Sequence, residues 1–172
     1  MPRPSQIKLS GLFVLILLIS LPLGCIAYLK RQTEDFNRVA APFEKVTGRR
    51  PQASGDGMAI VYGRYGLTQL NLVDADLDDA KLLKLKGDLE RLPNLRSLVL
   101  NRTTISDVGL EALENLQTLD GLYLSGTSVS DVAVERLKRL HGLTRLGLQG
   151  TQVTDAGVEE LRRALPNCEI DH

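Results

Sequence analysis

The sequence predicts an α/β solenoid, a parallel sheet on the concave face with helices on the convex face, preceded by a transmembrane helix. Three observations predict it. The first is a pattern repeated every 24 residues: Leu95-x-x-Leu98-x-Leu100-x-x-Thr103-x-Ile105-Ser106-Asp107, then Leu119 to Asp131, then Leu143 to Asp155. A fixed period of this length marks a stacked array in which each unit covers the hydrophobic face of the next. The second is a change of hydrophobic period inside each unit, from two to three or four. The third is Leu9 to Leu29, which contains no charged residue.

Leu9–Leu29 is flanked by Lys8 and by Lys30-Arg31. Its 21 residues, rising 1.5 Å each, suffice to cross a bilayer core of roughly 30 Å. Residues 1–8 then form a short tail and 9–29 an anchor. Two other readings stay open. Leu9 to Leu21 also fits the apolar core of a cleaved signal peptide, with Pro22 and Gly24 as breakers and Cys25-Ile26-Ala27 as a loose cleavage site. Leu23-Gly24-Cys25 looks a little like a lipoprotein box, although Pro22 departs from that pattern. The flanking positive charges nearly cancel between the two ends. The expected location is a single-pass membrane protein with its repeat domain on the extracytoplasmic side, because the long folded part follows one N-terminal signal-anchor across.

Residues 30–66 form a linker and capping region. Phe36, Val39, Ala40, Phe43 and Val46 recur at three- and four-residue steps, which predicts a helix started at Thr33 and kinked at Pro42. Gly48 to Gly57 is a loop, Met58 to Tyr62 a short strand and Gly63 to Gly66 a turn.

From 67 to 172 the repeats take over. In Leu-x-x-Leu-x-Leu the last two leucines lie two apart and share one side of a strand. Leu98 and Leu100, Leu122 and Leu124, and Leu146 and Leu148 therefore face the core. Leu110, Leu113 and Leu116 fit one face of a helix, as do Val134, Leu137 and Leu140, and then Val158, Leu161 and Leu165. Ser106, Ser130 and Thr154 stand at the N-cap positions, and Asp107, Asp131 and Asp155 fall in the first turn, where a carboxylate favours the helix dipole. A first, less regular unit has Leu67 to Leu72 as its strand, Asp78-Asp79 as its cap and Leu82, Leu85, Leu89 and Leu92 as its helix. It is four residues longer than the others, which predicts one extra helical turn. Leu165-Pro166-Asn167-Cys168 echoes Leu92-Pro93-Asn94-Leu95, so Glu169-Ile170 begins a stub strand.

Residues 67–170 resemble the leucine-rich repeat family. The half written Thr-x-[Ile/Val]-[Ser/Thr]-Asp-x-[Gly/Ala] resembles its short 24-residue bacterial type, related in shape to the repeats of ribonuclease inhibitor and of F-box substrate adaptors. Where the family usually has Asn, this chain has Thr103, Thr127 and Thr151, which can still bond neighbouring backbone. No F-box-like segment is recognisable, so the adaptor role is not carried over. The resemblance implies protein binding on the concave sheet face and no reaction.

The outward strand positions are then the candidate partner-binding residues: Gln69, Asn71, Val99, Asn101, Tyr123, Ser125, Arg145 and Gln149. With strands about 4.8 Å apart, Val99, Tyr123 and Gly147 form one row. Tyr123 beside Arg145 is the best candidate anchor, because Tyr and Arg are enriched among residues that dominate binding energy. Gly121 and Gly147 leave room for a partner. The bland reading is an ordinary solvated sheet face.

Composition narrows the partners. The 21 Lys and Arg balance 21 Asp and Glu, and without Arg3 and Lys8 the part beyond residue 29 carries a small acidic excess. A broad basic surface for nucleic acid is missing, and there is no Trp for base stacking. Arg136, Lys138, Arg139, Arg162 and Arg163 are interleaved with Glu135, Glu159 and Glu160, as on a solvated face. Arg96 and Asp120 fall at equivalent positions, where an ion pair contributes about 0–1 kcal/mol. His141 and His172 stand far apart without acidic or cysteine partners, and Cys25 and Cys168 suggest neither a disulfide framework nor a metal site. Asn101-Arg102-Thr103 matches a glycosylation acceptor, discounted for its place on a strand and turn. No nucleophile elbow, phosphate loop or dinucleotide fingerprint occurs. The expectation is no enzyme, no cofactor, no small-molecule substrate, and a membrane-anchored module that binds a protein partner. The rival reading is a scaffold or spacer of an envelope complex, or a secreted or lipid-anchored repeat protein.

Overall fold

Among the described residues a six-stranded sheet follows the order of the chain. The computed structural model describes residues 40–48, 59–63 and 66–172, all within a unit spanning Val39–His172. The anchor expected over 9–29 lies outside these residues, as do Thr33 and Phe36. No helix among the described residues is long and apolar enough to cross a membrane.

Residues 40–47 are helical, and Pro42 sits within that stretch. Ala40 and Phe43 are fully buried, as their spacing predicts. Gly48 closes the helix at φ +69°, with its N–H donating to Glu44 O at 2.9 Å. A left-handed residue at this point is the usual glycine stop.

β1 (Ala59–Gly63) and β2 (Gly66–Asn71) form an antiparallel hairpin. Everything after it is parallel. β2 pairs with β3 (Ser97–Val99), β3 with β4 (Gly121–Tyr123), β4 with β5 (Arg145–Gly147) and β5 with β6 (Glu169–Asp171). The register places Leu70, Leu98, Leu122, Leu146 and Ile170 in one row. The first four of these are at most 1% exposed, and so are Leu72, Leu100, Leu124 and Leu148 in the next core row. The hairpin closes the first edge of the parallel sheet, a device that protects a strand from stray pairing.

The convex side departs from the expected row of alike helices. In the first unit α1 (Asp79–Lys84) and α2 (Lys86–Glu90) are both α-helical. The second unit has only a 3₁₀ helix, η1 (Gly109–Leu113). The third has a 3₁₀ turn, η2 (Asp131–Ala133), running into the short α3 (Val134–Leu137). The fourth has a full helix, α4 (Asp155–Ala164). The cause is arithmetic. Every unit must return the chain to the next strand over a similar distance. A 3₁₀ helix rises about 2.0 Å per residue and an α-helix about 1.5 Å. The two 24-residue units from Leu95 and Leu119 stretch into 3₁₀ geometry, while the longer first unit and the fourth, with one residue added before Cys168, have residues enough for α-helix.

The threonines behave as expected. Thr103, Thr127 and Thr151 donate their hydroxyls to Leu100, Leu124 and Leu148 carbonyls at 2.7, 2.6 and 2.7 Å. Just before each threonine the chain turns through a left-handed residue: Arg102 (φ +55°), Gly126 (+70°) and Gly150 (+64°), with Asp74 (+54°) in the first unit. Arg102 holds this unfavoured conformation while its guanidinium grips Asp74 in two bonds of 2.7 and 2.6 Å.

The aspartates do something other than expected. Asp79 accepts from Ser106 N at 2.7 Å, Ser106 Oγ at 2.5 Å and Gly109 N at 3.0 Å. Asp107 accepts from Ser130 N and Oγ at 2.8 and 2.7 Å. Asp131 accepts from Thr154 N and Oγ1, both at 2.8 Å. Each carboxylate therefore ties its own unit to the next instead of only facing a helix dipole. The expected caps survive within this ladder: Ser130 Oγ accepts from Val132 N, and Thr154 Oγ1 from Gly157 N.

Candidate functional site

Alternation along the strands turns Ser97 and Val99, Gly121 and Tyr123, Arg145 and Gly147, and Glu169 and Asp171 away from the core rows. At the C-terminal end of this face lies a shallow hollow of about 480 Å³. It gathers Asn101, Tyr123, Ser125, Arg145 and Gln149, five of the eight residues picked out from sequence. Gln69, Asn71 and Val99 lie on β2 and β3, outside its lining. Val99 is 9% exposed, so it supports the face rather than meeting a partner.

Tyr123 sits at the middle of the site. Its ring lies against the two glycines that sequence reasoning read as open room. A Cβ on Gly121 would stand 3.3 Å from Tyr123 Cε2, and one on Gly147 would stand 3.2 Å from Cδ1. Those glycines accommodate the aromatic ring, so the space they release is already filled. The ring is partly exposed and adds an apolar surface to a hollow that mixes polar side chains with Leu146 and Ile170.

Two polar side chains are occupied by backbone. Asn101 Oδ1 accepts from Ser125 N at 2.9 Å, and Asn71 Oδ1 from Val73 N at 3.0 Å. The glycosylation match at Asn101 thus falls on a side chain that links two units, next to a Thr103 that is 5% exposed. Along the lower rim charges alternate. Arg96 approaches Asp120 at 3.5 Å, and Arg145 approaches the same carboxylate at 3.9 Å. These exposed pairs set orientation and contribute about 0–1 kcal/mol each.

The hollow also contains Glu169 and Asp171, which the sequence reading did not place there. The signal was present. Once Ile170 is aligned with Leu146, period-two alternation turns its neighbours to the concave side.

On the convex side the basic cluster is largely paired. Arg136 meets Glu114 at 3.1 Å, Lys138 meets Glu135 and Glu160 at 2.6 Å each, and Arg162 meets Glu159 at 2.8 Å. The hydrogen bond from Lys138 holds the Glu135 carboxyl below its ordinary range. His172 Nε2 lies 2.8 Å from Val153 O, and His141 is exposed in its turn. No group of metal-ligating side chains occurs among the described residues.

Burial, with a smaller contribution from the charge of Glu169, pushes the Cys168 thiol up. A raised value leaves less thiolate at neutral pH, and the thiolate is the nucleophile. In a Cys25→Ser chain, iodoacetamide should therefore label Cys168 more slowly in the native state than in urea. Its rate should climb at a more alkaline pH than that of an unfolded thiol. Equal rates in the two states would contradict the burial argument.

A family model described as leucine rich repeat matches residues 93–153. Among solved structures the chain is similar to the actin-binding site 2 of leiomodin-1, at 16% identity, 76% coverage of each chain and a TM-score of 0.49. It is similar to an internalin from Listeria monocytogenes, at 18% identity, covering 58% of this chain and 37% of that one, TM-score 0.35. A leucine-rich repeat protein of Leptospira interrogans gives 19% identity, 69% and 41% coverage, and a TM-score of 0.38. The chain thus spans only 37% and 41% of the lengths of the last two. Comparison with curated proteins gives no significant match. The family match falls on stacked parallel strands whose leucines are shared from unit to unit, so residues 93–153 are a leucine-rich repeat segment.

Proposed function

We propose that this protein is a protein–protein interaction module that binds a partner on its concave sheet face and is held at a membrane through residues 9–29. The observation that carries the reading is Tyr123. It stands partly exposed in a hollow that also holds Arg145. Aromatic and arginine side chains of this kind dominate binding energy when a partner covers them. The membrane part of the proposal is supported by the uncharged run Leu9–Leu29, and the proposal includes an extracytoplasmic repeat domain because the long folded part would follow a single N-terminal signal-anchor across. No reaction, cofactor or small-molecule substrate is assigned.

The test is crosslinking of the full chain in its native membrane, followed by detergent extraction and identification of what is attached. The Tyr123→Ala, Arg145→Ala double variant should lose the crosslinked protein while its circular dichroism stays unchanged. Capture of the same protein by the folded double variant would place the interface elsewhere. Mass spectrometry of the N-terminus in the same preparation reads anchor, cleaved signal or lipidation directly.

A further inference from the structure

We infer that the hollow takes a cationic side chain, Arg or Lys, presented by the protein partner. This inference rests on the concave-face reading above and adds the chemistry of what is bound. The argument begins from the register of one row: Asn71, Val99, Tyr123, Gly147, Asp171. Tyr123 and Asp171 lie two strands apart, about 9.6 Å at the usual strand spacing. Gly147 stands between them and contributes no side chain. The Tyr123 ring lies against that glycine, so an aromatic surface and, one strand further on, the Asp171 carboxylate provide what a guanidinium or ammonium needs: a π surface on one flank and an anion on the other.

Charge points the same way. On the rim Arg96, Asp120 and Arg145 alternate in sign within 3.5 and 3.9 Å, and Arg145 has Glu169 as its strand neighbour on the other side. Those four groups balance. Asp171 is the charge left over. Neither it nor Glu169 makes an ion pair among the described residues, and both line the hollow. The polar rim adds Ser125 and Gln149, whose side chains offer acceptors to the remaining N–H groups of a guanidinium.

The probes are three acetylated, amidated pentapeptides, Gly-Ser-Xaa-Ser-Gly with Xaa as Arg, Gln or Glu. Each is titrated at low salt into the isotopically labelled full chain in detergent micelles, and the amide resonances of Gly147 and Asp171 are followed. The Arg peptide should shift both signals saturably and bind more weakly as salt rises, since exposed charges are screened. The Gln and Glu peptides should leave them in place. Asp171→Asn, an exposed change that keeps the fold, should weaken the Arg peptide about five- to tenfold. Equal shifts from all three peptides, no shift from the Arg peptide, or an Asp171→Asn chain that binds it undiminished would each overturn the inference. The crosslinking experiment separates this from the broader reading. If capture needs Tyr123 but ignores Asp171→Asn, the concave face stands and the cationic preference falls. If capture ignores both, the concave face falls as well.

Discussion

Replacing Leu122 with Ala should cost the repeat domain about 2–5 kcal/mol. Leu122 is fully buried and has Leu98 and Leu146 on its two sides in register. Removing its side chain leaves a hole between two coils that are each fixed by their own leucines, so the site has little freedom to collapse. Urea unfolding of the variant followed by circular dichroism measures the loss. Val132→Ala is the matched control. Val132 is 68% exposed in the same unit, so its shortening should change stability by less than about 0.5 kcal/mol. A Leu122→Ala loss under about 1 kcal/mol would mean that neighbouring coils do not share their core.

Much of this architecture was legible because each unit repeats one rule. Period two placed Leu98, Leu122 and Leu146 in a single row, and the structure stacks them in that register. The convex side was legible in kind but not in form. Leu110, Leu113 and Leu116 step by three, and so do Val134, Leu137 and Leu140. That is the pitch of a 3₁₀ helix, and Leu110 and Leu113 lie in one, whereas Val134 and Leu137 lie in the short α3 that follows η2. Leu82, Leu85, Leu89 and Leu92 mix steps of three and four, as do Val158, Leu161 and Leu165, and both sets lie in or against α-helical segments. A run of only three apolar positions is short enough that the two periods merge in a one-dimensional reading.

The site was half legible for a different reason. Alternation places a residue on a face, and Tyr123, Ser125 and Arg145 follow from it. It does not say which way a ring leans. Tyr123 turns toward Gly121 and Gly147, and that orientation depends on neighbours 2 and 24 positions away. Asp171 was missed because the stub strand ends the pattern before its leucines declare the alternation. The role of the aspartates needed three dimensions altogether. An Asp after a Ser or Thr satisfies the local rule for a helix start, so nothing in one unit reveals that its partner lies in the next. The structure also explains the glycine two residues after Asp107 and after Asp155, a place where the third unit has Ala133. A Cβ on Gly109 would press on the Asp79 carboxylate, and one on Gly157 on that of Asp131.

Asp107→Ala should destabilise the domain by about 1–3 kcal/mol, the cost of leaving a part-buried donor without its acceptor. The substitution strands the Ser130 N–H and frees the Ser130 hydroxyl, which Asp107 now receives at 2.8 and 2.7 Å. That hydroxyl also accepts from Val132 N at the start of η2, so the loss reaches the next unit's first turn. Asp107→Asn keeps one acceptor oxygen for the N–H and should lose roughly half as much. A simple dipole role predicts something smaller, about 0.3–1 kcal/mol, and largely erased by salt. Asp155 supplies the internal control. It holds the same place in its unit, but its carboxylate is fully exposed, 3.6 Å from His172 Nδ1. No following Ser or Thr reaches it among the described residues. Asp155→Ala should therefore change stability by less than about 0.5 kcal/mol. Equal losses at Asp107 and Asp155, both fading in high salt, would show that these carboxylates act on their own helices and that the ladder between units contributes nothing.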